Sequence, residues 1–409
     1  MSEHQPSDRP PSRHPLALLS WAVYLGCSWT WLIGMLLPLY LARDFGAWSW
    51  LVFAVPNVLG AASVAWFFSR PASSESFEAR HPVLLRWFSI WTLVFHASVL
   101  GRLLAWYANL FIGNNALAGL AQATALLLLA LLVVGLARLG RNGLFVSAWI
   151  TLLLSLGAIA AHASVWPGAG PLSIPSADGA FGRLDLAFAA PAIILGFLAC
   201  PHLDLTIHRV RRDIATPARS KIAFAIGFGV VFLAMISLTL LYAGGILRGL
   251  IPEYLVIHFA VQTVFTSALH WRELAHRRTS PAPSRWWLAL LVFGVASGGL
   301  IFAGDSFIDN RAWYAIAYET LITPYALVFP AYLWTRVVIG EKFRLLTRAQ
   351  SRHVWWISAL IAAPGFAYGY LWQEFVWLAA GTGVLLVLPV LIGLVSGRAA
   401  TAGEHESPS

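Results

Sequence analysis

The residues able to do chemistry are few and lie in unusual places. Asp204 and His208 stand four apart, so a helix would carry them on one face. Thr266 and Ser267 are adjacent hydroxyls, with Thr263 one turn earlier. Glu319 follows Arg311 by eight residues, about 12 Å of helix, and Arg102 lies sixteen past Arg86. Both sit within long apolar runs, where an ionisable group is costly and marks function. The pair would neutralise itself as a gate between two helices. Cys27 and Cys200 lie in apolar runs too and build no disulfide framework. The 12 His form no HxxxH or HxxHH box for a metal. The chain also lacks an HExxH, a nucleophile elbow and a phosphate loop. No catalytic residue, resident metal or organic cofactor is expected.

The elements that must carry these groups follow from composition. The 409 residues are 59% hydrophobic and 11% charged, with a mean hydropathy of +0.71. Soluble domains carry roughly 25% charged residues. Apolar stretches long enough to cross a hydrocarbon core of about 30 Å recur along the chain. Backbone groups in lipid must be satisfied internally, and no period-2 alternation points to a barrel, so each stretch is expected to be a helix. Twelve spans are predicted, at 15–42, 47–69, 82–112, 114–137, 142–163, 183–210, 218–247, 251–276, 284–303, 308–337, 352–373 and 375–396. The lipid bilayer is the expected partner, and the fold class is an all-α polytopic membrane protein.

The net charge of +9 belongs to the loops. With the N-terminus placed in the cytoplasm, Arg43, Arg183, Arg248 and Arg311 are the four bases outside. Arg102 lies within a span, and the other 22 of the 27 Lys and Arg fall inside. This bias predicts both termini in the cytoplasm of a cell (inner) membrane. It also explains the basic balance without nucleic acid. The polar ends, 1–14 and 397–409, are predicted to be disordered tails.

Two spans carry breaks near their middles. The first holds Gly26-Cys27-Ser28, then Thr30 and Gly34; the sixth holds Gly196, Cys200 and Pro201, then Asp204. Proline removes an amide donor, and glycine costs a helix about 1 kcal/mol. Spans five apart cross the membrane in opposite senses. Interrupted helices at matching places in two halves mark the binding site of inverted-repeat transporters. The reading is therefore a 5+5 inverted repeat: 15–163, an external linker at 164–182, and 183–337. Two accessory helices complete it within 338–396. The candidate substrate contacts are Cys27, Ser28, Trp29, Trp31, Gly196, Cys200 and Asp204. A tryptophan beside the break would suit an apolar group or an organic cation.

These features resemble the leucine-transporter fold of the amino acid–polyamine–organocation superfamily, nearest to the sodium:solute symporters. The break in the first span, with Pro38 beyond it, is similar to the unwound first helix of that fold. The run Pro201-His202-Leu203-Asp204, then Arg209 and Ala218-Arg219, is similar to the end of its sixth helix. The resemblance implies a sodium ion between the carbonyls of Gly26 and Trp29 and the hydroxyls of Thr263, Thr266 and Ser267. It implies that Arg102 and Glu319 flank an outer vestibule. The chain departs from the family in having no leading extra helix and no acid in the fifth span. The expected function is symport of a small solute coupled to sodium or protons. The alternatives are a major facilitator-type transporter, a non-transporting membrane sensor or subunit, and a membrane enzyme.

Overall fold

Twelve helical segments run through the residues described by a computed structural model: 15–112, 114–165, 179–246, 252–276, 284–299 and 313–404. The first is broken into α1a (Pro15–Trp29) and α1b (Leu32–Phe45), which meet at a 55° bend. Then come α2 (Trp48–Phe67), α3 (Pro82–Ile112), α4 (Asn115–Ala137) and α5 (Arg141–Val165). The sixth is also broken, into α6a (Arg183–Ala199) and α6b (Leu205–Asp213). It is followed by α7 (Pro217–Ile246), α8 (Glu253–His276) and α9 (Ser284–Gly299). The tenth segment, α10, begins at Trp313–Ala326 and continues to Lys342, its last stretch (Leu333–Lys342) wound as a wide π-helix. Finally α11 (Arg348–Leu371) and α12 (Phe375–Glu404) pair as a hairpin.

Among the described residues nine helices are long and apolar enough to cross a membrane, ten with the bent pair counted as one. The shortfall from twelve falls on α8 and α9. α8 carries Glu253, Arg272 and Glu273, and the apolar part of α9 among the described residues is only Leu288–Gly299. The expected spans therefore recur in order. One loop differs: between α2 and α3 lies a short helix, Pro71–Arg80, begun by proline at its first position.

The packing repeats with a period of five segments. α1a packs on α5, and α6a packs on α10. α1a packs on α7, and α2 packs on α6a. α3 packs on α9, and α4 packs on α8. In these three sets of contacts, exchanging each segment for the one five away gives the matching contact of the other half. Glycines allow the same close approach in both halves. A Cβ on Gly60 of α2 would collide with the Phe197 carbonyl of α6a, and one on Gly227 of α7 would sit 2.9 Å from the Ala22 carbonyl of α1a. Small residues at such seams let helix backbones approach in lipid, where burial alone drives no association. The α11–α12 hairpin rests on α6a and α10.

Three expectations are corrected. The break in the first span lies at Thr30–Trp31, not at Gly26-Cys27-Ser28, which are helical and buried. Gly26 serves packing instead, since a Cβ there would stand 2.5 Å from a Val231 methyl. The tail expected from 397 is helical as far as Glu404, a stretch rich in alanine, the best helix former. The tenth span ends at Lys342 rather than 337, which shortens the stretch left to the accessory helices. The N-terminal tail 1–14 and most of the linker, 166–178, lie outside the described residues.

Candidate functional site

The two breaks are built differently. At the end of α1a the Thr30 amide and hydroxyl both donate to the Gly26 carbonyl, at 3.1 and 2.7 Å. Trp31 turns out of the helix, its amide donating to the Trp29 carbonyl at 2.9 Å. Its indole N–H donates to the Ser28 carbonyl at 2.7 Å. The local bonds thus replace what the helix loses, and Trp31 is fixed side-on. Between α6a and α6b, Cys200–Leu203 forms a tight 3₁₀ turn led by Pro201, and Asp204 is extended. One oxygen of Asp204 accepts the Thr206 amide at 2.7 Å, capping α6b.

A cavity of about 120 Å³ lies between these breaks and α10. The buried Trp29, Trp31, Cys200 and Tyr325 line it beside the breaks; Arg43 and Asp44, where α1b finishes and the side chains are 44% and 17% exposed, line its other end with Phe45. Most of the wall is aromatic or aliphatic, and the polar groups on it are few. Asn57 accepts the Trp29 indole N–H at 2.7 Å. Glu319 contributes a carboxylate from α10, and Arg43 and Asp44 pair with each other at 2.6 Å at the end of α1b. Phe45, Phe181 and Phe375 cluster there with ring centroids 4.9–5.8 Å apart. The last residues of the linker are pinned to this end, the Phe181 amide donating to the Asp44 carbonyl at 2.7 Å.

Beneath the cavity the structure is closed by buried charge. Glu273 of α8 accepts from Arg209 at 2.6 Å and from Arg212 at 3.3 Å, both on α6b. Arg212 also pairs with Glu78 on the short helix at 2.5 Å. Arg211, fully buried, donates to the Phe68 and Ser69 carbonyls at the end of α2. Farther out, Arg80 reaches Glu341 on α10. These contacts tie α6b to α8, the short helix and the end of α2.

The predicted site residues divide. Trp29, Trp31, Gly196 and Cys200 line the cavity. Cys27, Ser28 and Asp204 are buried behind it: the Cys27 thiol faces the Ala148 carbonyl, and Ser28 bonds back to Leu25. Of the three predicted hydroxyls on α8, Thr266 reaches the first span, donating to the Cys27 carbonyl at 3.4 Å. Thr263 bonds back to Phe259, and Ser267 pairs with His96. The Gly26 carbonyl is taken by Thr30, and that of Trp29 by Trp31. Arg102 is buried on α3 and Glu319 lies on the cavity wall; both are within electrostatic range of the Tyr318 phenol. His208 does not pair with Asp204 but bonds the His202 carbonyl and Ser74.

Sequence reasoning missed Asn57, His270, Tyr325 and the Glu78–Arg212–Glu273 network. A signal existed for two of them. His270 and Glu273 continue, at helical spacing, the face of α8 that carries Thr266. Asn57 and Tyr325 carried none, because a single polar residue in an apolar helix does not announce its partner. Among the described residues no group of three or more His, Cys, Asp or Glu is placed to hold a metal ion.

No family model matches the chain. No curated protein matches it either. Solved structures do. A Na+-coupled sialic acid symporter, in its substrate-bound outward-open state, is similar over 92% of this chain and 89% of its own, with a TM-score of 0.49 and 13% identity. Mhp1, a nucleobase-cation-symport-1 family transporter, is similar in a closed conformation with bromovinylhydantoin bound (91% of each chain, TM-score 0.46, 13% identity). Its inward-facing conformation is similar over 94% of this chain and 91% of its own (TM-score 0.47, 13% identity).

Proposed function

We propose that this protein is a secondary transporter that carries a small solute across the cell (inner) membrane by alternating access, in a leucine-transporter-like 5+5 arrangement. The observation that carries the reading is the cavity between two broken helices, which reaches the exposed Arg43 side chain at one end and is backed at the other by buried ion pairs. Half-helices meeting at mid-depth are where inverted-repeat transporters bind their cargo. The distribution of Lys and Arg assigns the Glu273 end to the cytoplasm. On that orientation the conformation faces outward.

Trp29, Trp31, Gly196 and Cys200 would then touch the solute, with Asn57 and Glu319 as the polar groups that orient it. Such a wall suits a solute with an apolar body and one polar end. Arg102 and Glu319, through Tyr318, would form the outer gate. The inner gate would be the Arg209–Glu273–Arg212–Glu78 network.

The test uses the purified full-length chain with Cys27 and Cys200 replaced by alanine and a single Ile322→Cys on the cavity wall. In vesicles, a membrane-impermeant maleimide should modify it from the Arg43 side. Small metabolites that raise the melting temperature should slow that modification and enter the vesicles. A cysteine reached from neither side, together with no stabilising metabolite, would remove the proposal.

A further inference from the structure

Directly under the cavity floor lie two groups that the transport path does not touch. Asp204 and His270 are both fully buried. The free oxygen of Asp204, Oδ2, faces Nε2 of His270 at 3.9 Å. Neither atom has a protein hydrogen-bond partner. Their other atoms are engaged: Oδ1 caps α6b, and Nδ1 of His270 lies 3.1 Å from the Ser89 hydroxyl. That hydroxyl either donates to a neutral imidazole or accepts from an imidazolium, so it tolerates both forms.

The surroundings bear on how much charge the pair can hold. α1a presents Tyr24, and α10 presents Tyr325, which lines the cavity. α3 presents His96, which faces His270, and Trp31 packs edge-on against both imidazoles. α8 adds Glu273, already matched by Arg209 and Arg212, and Arg272, which donates to the Ala137 and Leu139 carbonyls. The short helix adds Glu78, paired with Arg212, and α6b itself ends in Asp213 beside Arg209. Every cation near the pair is thus committed elsewhere. An ionised Asp204 beside a neutral His270 would leave a net negative charge buried with one oxygen unmatched, a desolvation cost that one capping amide does not offset. One proton on the pair removes that charge, as carboxylic acid beside imidazole or as carboxylate beside imidazolium.

We propose that Asp204 and His270 bind one proton between them and that this proton is the coupling ion of the transporter. The idea rests on the transport reading above. The proton arrives from the cavity past Trp31, which lines the cavity and packs edge-on against His270, and Tyr325, which lines it as well. It leaves to cytoplasmic water when α6b parts from α8 and the pair becomes hydrated. The closed inner end and the protonated pair therefore belong to one state. No metal cation is required, in keeping with the Thr263 and Ser267 hydroxyls being turned to other partners.

The experiment is a pH titration of the purified full-length protein in nanodiscs. Infrared difference spectra read the carboxylic C=O stretch, and ¹⁵N NMR of labelled histidine reads His270. One carboxyl band and the His270 shift should titrate with a shared midpoint, as a coupled pair does. Asp204→Asn should abolish both changes. Replacing potassium by sodium should leave the midpoint unmoved. Hydrogen exchange then tests coupling: α6b and α1a amides should exchange at least tenfold faster, relative to the α3–α9 seam, above the midpoint than below it. In Asp204→Asn, which imitates the protonated acid, they should stay slow throughout.

Separate midpoints, no titrating band, or a midpoint displaced by sodium would overturn the assignment. A titrating pair without pH-dependent exchange would overturn its role in coupling. If Asp204→Asn fails to fold, His270→Gln keeps the test alive, because it too must destroy the shared midpoint. A shared titration alongside an unreachable Ile322→Cys would show a proton site in a protein that is not a transporter, so the two proposals fail separately.

Discussion

Replacing Glu273 by glutamine tests the closed end most directly. The side chain is 5% exposed and accepts from Arg209 at 2.6 Å and Arg212 at 3.3 Å, whose own side chains are 19% and 25% exposed. Glutamine keeps the shape and removes the charge. Breaking a fully buried ion pair costs about 3–5 kcal/mol. The guanidiniums keep some water, and Arg212 keeps Glu78, so about 3 kcal/mol is the expected loss. If that energy holds the inner end shut, its loss shifts the open population by roughly a hundredfold. Hydrogen exchange by mass spectrometry in nanodiscs reads this segment by segment. Amides of α6b and α1a should exchange up to about a hundred times faster, while the seam of α3 and α9 stays unchanged. Uniform acceleration along the chain would mean general destabilisation. No change in α6b and α1a would refute the claim that these ion pairs close the cavity.

Three further outcomes follow from packing. In Gly101→Val, the added atoms collide with the Gly294 carbonyl of α9, so unfolding should need about 3 kcal/mol less, whereas Gly119→Ala, with nothing within 4 Å, should be neutral or slightly stabilising in the same thermal assay. Asn57→Leu strands the buried Trp29 indole N–H and should cost about 1–3 kcal/mol, read as a lower melting temperature. Trp31→Ala removes a ring that packs on Phe88, Tyr325 and His270, and should deepen the cavity enough to raise maleimide modification of Cys200 several-fold in a Cys27→Ala background.

Each reading succeeded or failed according to the range of the forces behind it. Hydropathy and loop charge are local sums, so the order of twelve segments was legible, although α8 and α9 are too polar or too short to pass alone. The breaks were legible as a pair, because Pro201 and the glycines weaken helices wherever they stand. Their positions were less so. Gly26 looked like a breaking residue but exists for the contact with Val231, and that contact belongs to α7. The same holds for Thr266 and Ser267 of α8, which were grouped by spacing and then separated by partners more than a hundred residues away.

The sequence by itself therefore determined a multi-spanning helical chain with two interrupted spans five apart. In lipid the backbone must satisfy its own hydrogen bonds, which leaves helices as the solution. Only the tertiary structure decided which side of the cavity is shut, and that Asp204 meets His270 rather than His208. Those outcomes depend on which side chains face one another across distant helices. That is fixed by close packing at Gly60, Gly101 and Gly227, not by anything that one helix records of its own residues.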